Sequence, residues 1–358
     1  WSSRGRRQHR SRRIRSHRPV QIALVTVSLS SELIATVESE VATATSIEGK
    51  SPRQLAWLRF RKDRLAFVAA GVIAFYVLAA LFAPVICAVL GISPYTLDGQ
   101  ALNDYGLPNG PFGGISTAHW LGVEPGTGRD ILARLLYGAR VSLGVGFVGT
   151  MLATSIGVAL GVVAGYKRGK VDAVIARMTD LTLAFPSFLL IIALTRPFTQ
   201  RLESLGIPEG NPARLTYIVL VLSLFGWVYV ARVVRGQTLS LREREFVEAA
   251  RASGAGTGHI VFRQLLPNLW APIIVIISLS LPGYVATEST LSFLGLGLEA
   301  PAASWGVMLG DSVRYYRADP TYLFIPGIAL IILVLAFNIL GDAIRDALDP
   351  KSDRQNLL

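Results

Sequence analysis

The chain has 358 residues, of which 51% are hydrophobic and only 16% charged, against roughly 25% charged in ordinary soluble domains. A formal net charge of +11 would suit a nucleic-acid-binding protein, but eight arginines lie in the first eighteen residues and no acid precedes Glu32. The excess charge therefore belongs to a tail, and the remaining composition indicates a protein that lies in a lipid bilayer.

Residues 1–50 join this arginine-rich block to a polar stretch that is too short and too interrupted to span a bilayer. We expect a disordered, basic cytoplasmic tail near anionic membrane lipid, with a nucleic-acid-binding arm as the alternative. Because no aromatic residues are interleaved with the arginines, we expect no specific nucleic acid as a partner. The beginning of the sequence also lacks the apolar core of a cleavable signal peptide.

The next feature is a series of long apolar stretches. A hydrocarbon core about 30 Å thick requires roughly twenty apolar residues in a helix. Six stretches meet this requirement and predict transmembrane helices at residues 65–90, 141–165, 173–194, 215–234, 270–298 and 322–340. The third is interrupted by Arg177, Asp180 and Pro186, and its two charged residues are expected to pair across a helical turn.

These helices divide the chain into an approach and first helix at 51–90, a segment at 91–140, a transmembrane core at 141–345 and a terminus at 346–358. From Lys50 onward, one set of loops contains nineteen Lys/Arg residues and the other contains eight. The more basic set is expected to face the cytoplasm, which places both termini inside and residues 91–140 outside. Within this external segment, irregular structure is expected before a short helix near residues 130–137.

The loop between the fourth and fifth helices, residues 236–268, is longer and more structured than a simple turn. Phe246 shares one helical face with three small residues, which predicts a first short helix that packs by that face; these are Ala249, Ala250 and Ser253. Gly254 suits a left-handed helix end.

A second short helix is predicted to follow in the same loop. Gly256 and Gly258 loosen the connection, Thr257 is expected to cap the helix, and Pro267 is expected to end it. The pattern therefore predicts a helix, a turn and a second helix on the cytoplasmic side.

This loop resembles the EAA loop of permease subunits of ABC importers, with matches at Glu248, Ala249, Ala250, Gly254, Leu265, Pro267 and Asn268. In that family the loop is a coupling helix that docks in a groove of the ATPase subunit. The resemblance implies a coupling role for Glu248, Ala249, Ala250, Arg251, Gly254, Ala255, Gly256, Thr257, Gly258, His259, Leu265 and Pro267. The alternative is an amphipathic loop that lies on the membrane surface.

Two more stretches, residues 119–143 and 291–306, resemble the C-type permeases of bacterial dipeptide and oligopeptide importers. The resemblance implies an all-α membrane protein with six transmembrane helices of the type I ABC importer permease fold, in the inner or plasma membrane of a bacterium. It also implies several partners: a second, B-type permease subunit, one or two cytoplasmic ATPase subunits and an external substrate-binding protein. Trp120, Ala300 and Ala303 depart from the usual family pattern.

The sequence offers no site for ATP hydrolysis. The nearest approach to a phosphate-binding loop, residues 165–171, lacks the required spacing and the Ser or Thr that would bind Mg²⁺. We therefore expect no enzyme activity and no cofactor in this chain, with ATP and Mg²⁺ bound by the partner subunits. Four histidines without a helical metal-ligand spacing predict no metal site and no catalytic residue; they are His9, His17, His119 and His259.

One acidic residue, Glu288, falls inside the fifth apolar stretch, where a charge is costly unless it faces protein or water. It is the first candidate for the translocation pathway, and the alternatives are a pair with a cation of a neighbouring helix or a place near the external interface. Pro282 and Gly283 are expected to bend or break this helix beside the pathway.

Together these features predict a permease subunit that couples ATP hydrolysis on its partners to the import of di- or oligopeptides by alternating access. The same scaffold would also serve nickel, haem or another small solute. A channel or receptor subunit that works without ATP is the alternative from a different class.

Overall fold

The computed structural model describes residues 57, 58, 60, 61 and 63–348. The predicted tail at 1–50 and most of the predicted terminus at 346–358 lie outside these residues. The described residues form helices and connecting loops without named strands, with two isolated bridges between loop residues. In chain order the helices are α1 (Arg64–Leu90), α2 (Ile131–Lys167), α3 (Gly169–Ala184), α4 (Ser187–Ser204), α5 (Asn211–Leu241), α6 (Glu245–Ala252), α7 (Thr257–Phe293), α8 (Trp305–Ser312) and α9 (Thr321–Leu348).

Five of the described helices, α1, α2, α5, α7 and α9, are each long and apolar enough to cross a bilayer. They correspond to five of the six predicted spans, and α1 begins and ends within one residue of its prediction. The short helix expected near residues 130–137 is not separate, because the Asp130 carboxylate accepts a hydrogen bond from Ala133 N at 2.8 Å and begins one continuous α2.

The third predicted span, residues 173–194, is a bent pair of helices in the structure. It is divided into α3 and α4, which meet at an angle of 86° and together are apolar enough to count as a sixth, bent span. The division falls at Phe185, which is extended because Pro186 disfavours helical geometry at the residue before it. The expected pairing of Arg177 with Asp180 is wrong, since Asp180 instead accepts from Arg232 of α5 at 2.8 Å.

Pro282 and Gly283 were expected to bend or break the helix, and the break is wrong, because α7 continues through both residues to Phe293. A proline removes one backbone hydrogen bond, and surrounding protein can restrain a helix that lacks it. Pro282 is buried, and because it has no N–H, the carbonyl of Ser278 lacks its usual partner within the helix. Gly341 of α9 lies against this carbonyl. The helix therefore stays continuous where the sequence alone suggested a break.

Helices α2 and α5 lie closer together than ordinary side chains permit. A Cβ atom added to Gly157 would lie 2.5 Å from the Cβ of Val230 and 2.8 Å from the carbonyl of Trp227. A Cβ atom added to Gly161 or Gly165 would lie at similar distances from atoms of α5. Small residues at intervals of four are the usual means by which membrane helices approach so closely. This contact fixes the centre of the described fold.

Other faces of α2 are covered by α1, α7 and α8. The ring of Trp305, at the start of α8, is fully buried and lies edge-on to Tyr76 of α1, with centroids 5.7 Å apart. Its indole N–H donates to the carbonyl of Leu135 at 2.9 Å, and Gly138 leaves the space that the ring occupies. The tryptophan therefore joins α1, α2 and α8 at one level.

We predict that Gly157→Ala will destabilise the protein by about 1–3 kcal/mol, because the new methyl group overlaps α5 at a close contact. Gly71→Ala in α1 is the matched control, since a Cβ there meets nothing within 4 Å. Thermal unfolding in detergent, followed by tryptophan fluorescence, measures both. Equal unfolding temperatures for Gly157→Ala and Gly71→Ala would show that the close approach of α2 and α5 is not limiting.

Candidate functional site

The loop between α5 and α7, residues 242–268, contains α6 and the first turns of α7; it is called the α5–α7 loop below. Helix α6 ends in a left-handed glycine, since Gly254 has φ 78°. Its N–H donates to the carbonyl of Arg251 at 2.9 Å, and the N–H of Ala255 donates to that of Ala250 at 3.0 Å. This pair of bonds is a Schellman motif, in which glycine is favoured because it has no Cβ. The prediction of a left-handed end at Gly254 is confirmed.

The α5–α7 loop is held to the membrane helices by a small apolar cluster. Val247 of α6 and Ile260 and Leu265 of α7 are buried together and contact Leu241 and Tyr166. The predicted packing face of α6 is wrong, because Phe246 is 38% exposed and Val247 is the buried residue. Helix α6 has only about two turns, and Val247 is its one buried residue.

Tyr166, at the end of α2, holds the same loop through its ring and its backbone. The guanidinium carbons of Arg242 and Arg251 lie 5.9 and 5.8 Å from the ring centroid, within the range of cation–π contacts. Arg242 also donates to the carbonyl of Tyr166 at 2.6 Å. These contacts connect α6 directly to the end of α2.

The tip of the α5–α7 loop is formed by residues 251–259. Of the residues 251–259, all are exposed except Ala255, which is half-buried. The residues that the sequence predicted for coupling divide accordingly. Exposed are Glu248, Ala249, Arg251, Gly254, Gly256, Thr257, Gly258, His259 and Pro267; half-buried are Ala250 and Ala255; and Leu265 is buried. The structure thus leaves most of them exposed on this loop.

The second helix of the loop differs from its prediction at both ends. Gly256, and not Thr257, precedes its first residue, and no side chain caps it. It does not end at Pro267, because a π-helical segment at Ile260–Leu265 joins it directly to the rest of α7, where Pro267 occupies the first turn. The loop therefore passes without interruption into a spanning helix.

Glu288 lies in α7 with its side chain fully buried, and four serine hydroxyls donate to its carboxylate. Ser142 of α2 and Ser289 donate to Oε2 at 2.6 and 3.3 Å, and Ser292 and Ser304 donate to Oε1 at 2.9 and 3.1 Å. The cluster joins α2, α7 and the start of α8. The partners of Glu288 are therefore serine hydroxyls, and not the cation of a neighbouring helix that the sequence suggested as an alternative.

Comparison with known proteins agrees with this arrangement. A family model described as "Binding-protein-dependent transport system inner membrane component" matches residues 157–354, and one described as "N-terminal TM domain of oligopeptide transport permease C" matches residues 51–109. The chain belongs to the family of binding-protein-dependent transport system inner membrane components.

Relatives of this family cover nearly the whole chain. The dipeptide transport system permease protein DppC of Alkalihalophilus pseudofirmus is 39% identical over 84% of this chain and 90% of its own length. The oligopeptide transport system permease protein OppC of Bacillus subtilis is 36% identical over 88% and 96%. The glutathione transport system permease protein GsiD of Pectobacterium atrosepticum is 37% identical over 87% and 96%.

Among solved structures, a chain of the MetNI methionine ABC transporter in an inward-facing conformation matches 60% of this chain and 96% of its own length. The TM-score is 0.48 at 21% identity. The family assignment rests on the sequence matches, which are longer and closer.

In this family member, the connector between α1 and α2, residues 91–130, is attached to the helices by a buried ion pair. Arg134 of α2, fully buried, forms an ion pair with Glu124 of the connector. Its guanidinium also donates to the carbonyls of Pro94, Pro301 and Ala302 at 3.2–3.4 Å. One side chain therefore joins both ends of the connector to the segment before α8.

Glu124 is the acidic partner in this connector, and it has two hydroxyl donors as well. Tyr322 of α9 donates to Oε1 at 2.8 Å, and Thr127 donates to Oε2 at 3.1 Å. Burial raises the pKa of the Glu124 carboxyl, and the charge of Arg134 acts in the opposite direction. Because each ion of a buried pair relies on the other, loss of either partner leaves an uncompensated charge.

Sequence reasoning missed Arg134 and Tyr166 as positioning residues. Arg134 falls within the short helix expected near residues 130–137, but no pattern in the sequence marks it as a buried residue. Tyr166 lies at the end of an apolar run with no local pattern to mark it. In the part of the chain that the structure describes, no group of three or more His, Cys, Asp or Glu residues is placed to hold a metal ion.

We predict that Glu288→Ala will destabilise the protein by about 1–3 kcal/mol, because it leaves buried serine hydroxyls without their acceptor. Glu288→Gln should retain most of the stability, since an amide accepts at its oxygen and donates at its nitrogen, and serine hydroxyls rotate to match. Thermal unfolding in detergent measures both, with Glu245→Ala at the exposed start of α6 as control. If Gln is as damaging as Ala, the cluster requires a charge.

Proposed function

We propose that this chain is one of two permease subunits of an ATP-driven importer for di- or oligopeptides. The family assignment supports a role in binding-protein-dependent transport, and relatives named for dipeptide, oligopeptide and glutathione transport support a peptide substrate. On this proposal, separate ATPase subunits bind ATP and Mg²⁺, a B-type permease completes the membrane unit, and an external binding protein delivers the peptide. The chain would lie in the bacterial inner membrane with both termini in the cytoplasm.

The observation that carries the proposal is the geometry of the α5–α7 loop. An exposed tip of small and polar residues is held by the Val247 cluster and by Tyr166. A tip that docked on an ATPase subunit would pass a displacement to α2 through Tyr166 and to α7 through the continuous helix at Ile260–Leu265. A loop that lay on a membrane surface would present a broad apolar face, and α6 buries its one central valine inward.

Alternating access would then follow from the movement of these two helices against the second permease. Of the predicted pathway residues, Gly283 lies on an open face of α7, where a Cβ would meet nothing within 4 Å, whereas Pro282 and Glu288 are buried. We assign the Gly283 face to the pathway and Glu288 to the joint that keeps α2 and α7 together.

The experiment that tests the function is ATP-driven uptake of labelled tri-alanine into liposomes that contain this chain, its partner permease, the ATPases and the binding protein. Uptake that requires ATP and is not displaced by nickel or haem supports the peptide importer. Uptake of nickel or haem in place of the peptide would favour the alternative solutes, and transport without ATP would favour a channel.

In the same assay, Gly254→Val should abolish most uptake or release the ATPases, because a β-branched residue at φ 78° costs about 1–3 kcal/mol and opens the Schellman turn. Gly254→Asn is the matched control, since asparagine adopts the left-handed conformation more readily. A Gly254→Val complex with normal ATPase content and normal uptake would remove the coupling role from this loop.

A further inference from the structure

A cavity of about 620 Å³ opens between α2 and the first turns of α5, at the end of the helices that carries the α1–α2 connector. Its walls are apolar for most of their area and include Val145 and Val148 of α2 and Leu215 and Val219 of α5. Arg140 is the charged residue of the lining, and Tyr137, three residues earlier in α2, also lines the cavity. The volume falls within the range of about 300–1,000 Å³ typical of small-molecule sites.

Arg140 is exposed, and among the described residues its guanidinium has no hydrogen-bond or ion-pair partner. It directly precedes the apolar run of α2, so it lies where the membrane-spanning part begins. Ser142, two residues further on, faces the other way and donates to Glu288. A cation at the head of an apolar cavity is stable only with water or an anion beside it.

The cavity lies on the face of α2 that α1 leaves free. Leu135, Ala139 and Leu143 face the cluster that includes Ile73 and Tyr76 of α1. The cavity-lining residues Val141 and Val145 are turned to a different side of the helix and contact α5. No residue of α1 therefore lines the cavity between α2 and α5.

We infer that Arg140 binds the C-terminal carboxylate of the transported peptide while an apolar side chain of the peptide occupies the cavity. This inference rests on the proposed function. Every linear peptide carries one terminal carboxylate whatever its sequence, and an arginine fork binds a carboxylate through two parallel hydrogen bonds. An apolar wall without further charges accepts apolar side chains of different sizes. One fixed cation beside such a wall suits a family of ligands that share an end group and differ elsewhere.

The test measures equilibrium binding of labelled tri-alanine and of tri-alanine amide to the purified permease–ATPase complex in detergent, without the binding protein, by scintillation proximity. Leaving out the binding protein removes its own preference from the result. The wild-type complex should bind the free acid about tenfold more tightly than the amide, as expected for one charge-assisted contact. Arg140→Gln should bind both peptides alike, and Arg140→Lys should keep part of the preference.

The matched control is Arg196→Gln, which removes an exposed arginine of α4 that does not line the cavity. It should retain the wild-type preference. The inference fails if wild type binds acid and amide equally, if it binds neither, or if Arg140→Gln keeps the preference. Equal weakening of both peptides by Arg140→Gln also overturns it, since the cation would then contact lipid or the second permease. ATP-driven uptake of tri-alanine by wild type tests the proposed function separately.

Discussion

The close approach of α2 and α5 is the constraint on which the rest of the structure depends. Gly157, Gly161 and Gly165 let the two backbones come within distances that no larger residue allows. Lipid tails offer no hydrophobic drive for helices to associate, so contact area and close packing must supply it. Once α2 is fixed in this way, its two ends and its other faces position everything else that the function uses.

Each end of α2 carries a polar assembly. At one end, Arg134 forms an ion pair with Glu124 and donates to three backbone carbonyls, and so attaches the connector and the segment before α8. At the other end, Tyr166 lies between Arg242 and Arg251 and holds the α5–α7 loop. A displacement of the loop would therefore act on the same helix that carries Arg140 beside the cavity.

Between these ends, the buried carboxylate of Glu288 is satisfied by neighbouring hydroxyls. The carboxylate of Glu288 receives four serine hydroxyls from three elements, and Ser304 both donates to it and accepts from Val307 N at the start of α8. In hydrocarbon an unsatisfied polar group is expensive, so such a cluster determines which helix faces meet.

Much of the fold could be predicted because the length of an apolar run is set by bilayer thickness, and five spans follow from it. The left-handed end at Gly254 could be predicted because only a residue without Cβ suits it. Contacts that depend on how the helices pack could not be predicted from the sequence. Pro282 broke no helix because α9 restrains it, Val247 replaced Phe246 at the core, and Glu288 found serines from distant parts of the chain.

The α5–α7 loop carries the central claim, that this surface docks on the ATPase subunit. Hydrogen–deuterium exchange of residues 251–259, measured with and without the ATPases, tests it most directly, with the exposed connector residues 109–112 as internal control. The account predicts slower exchange at 251–259 when the ATPases are bound and no change at 109–112. Unchanged exchange at 251–259 in a complex that retains its ATPases would contradict it.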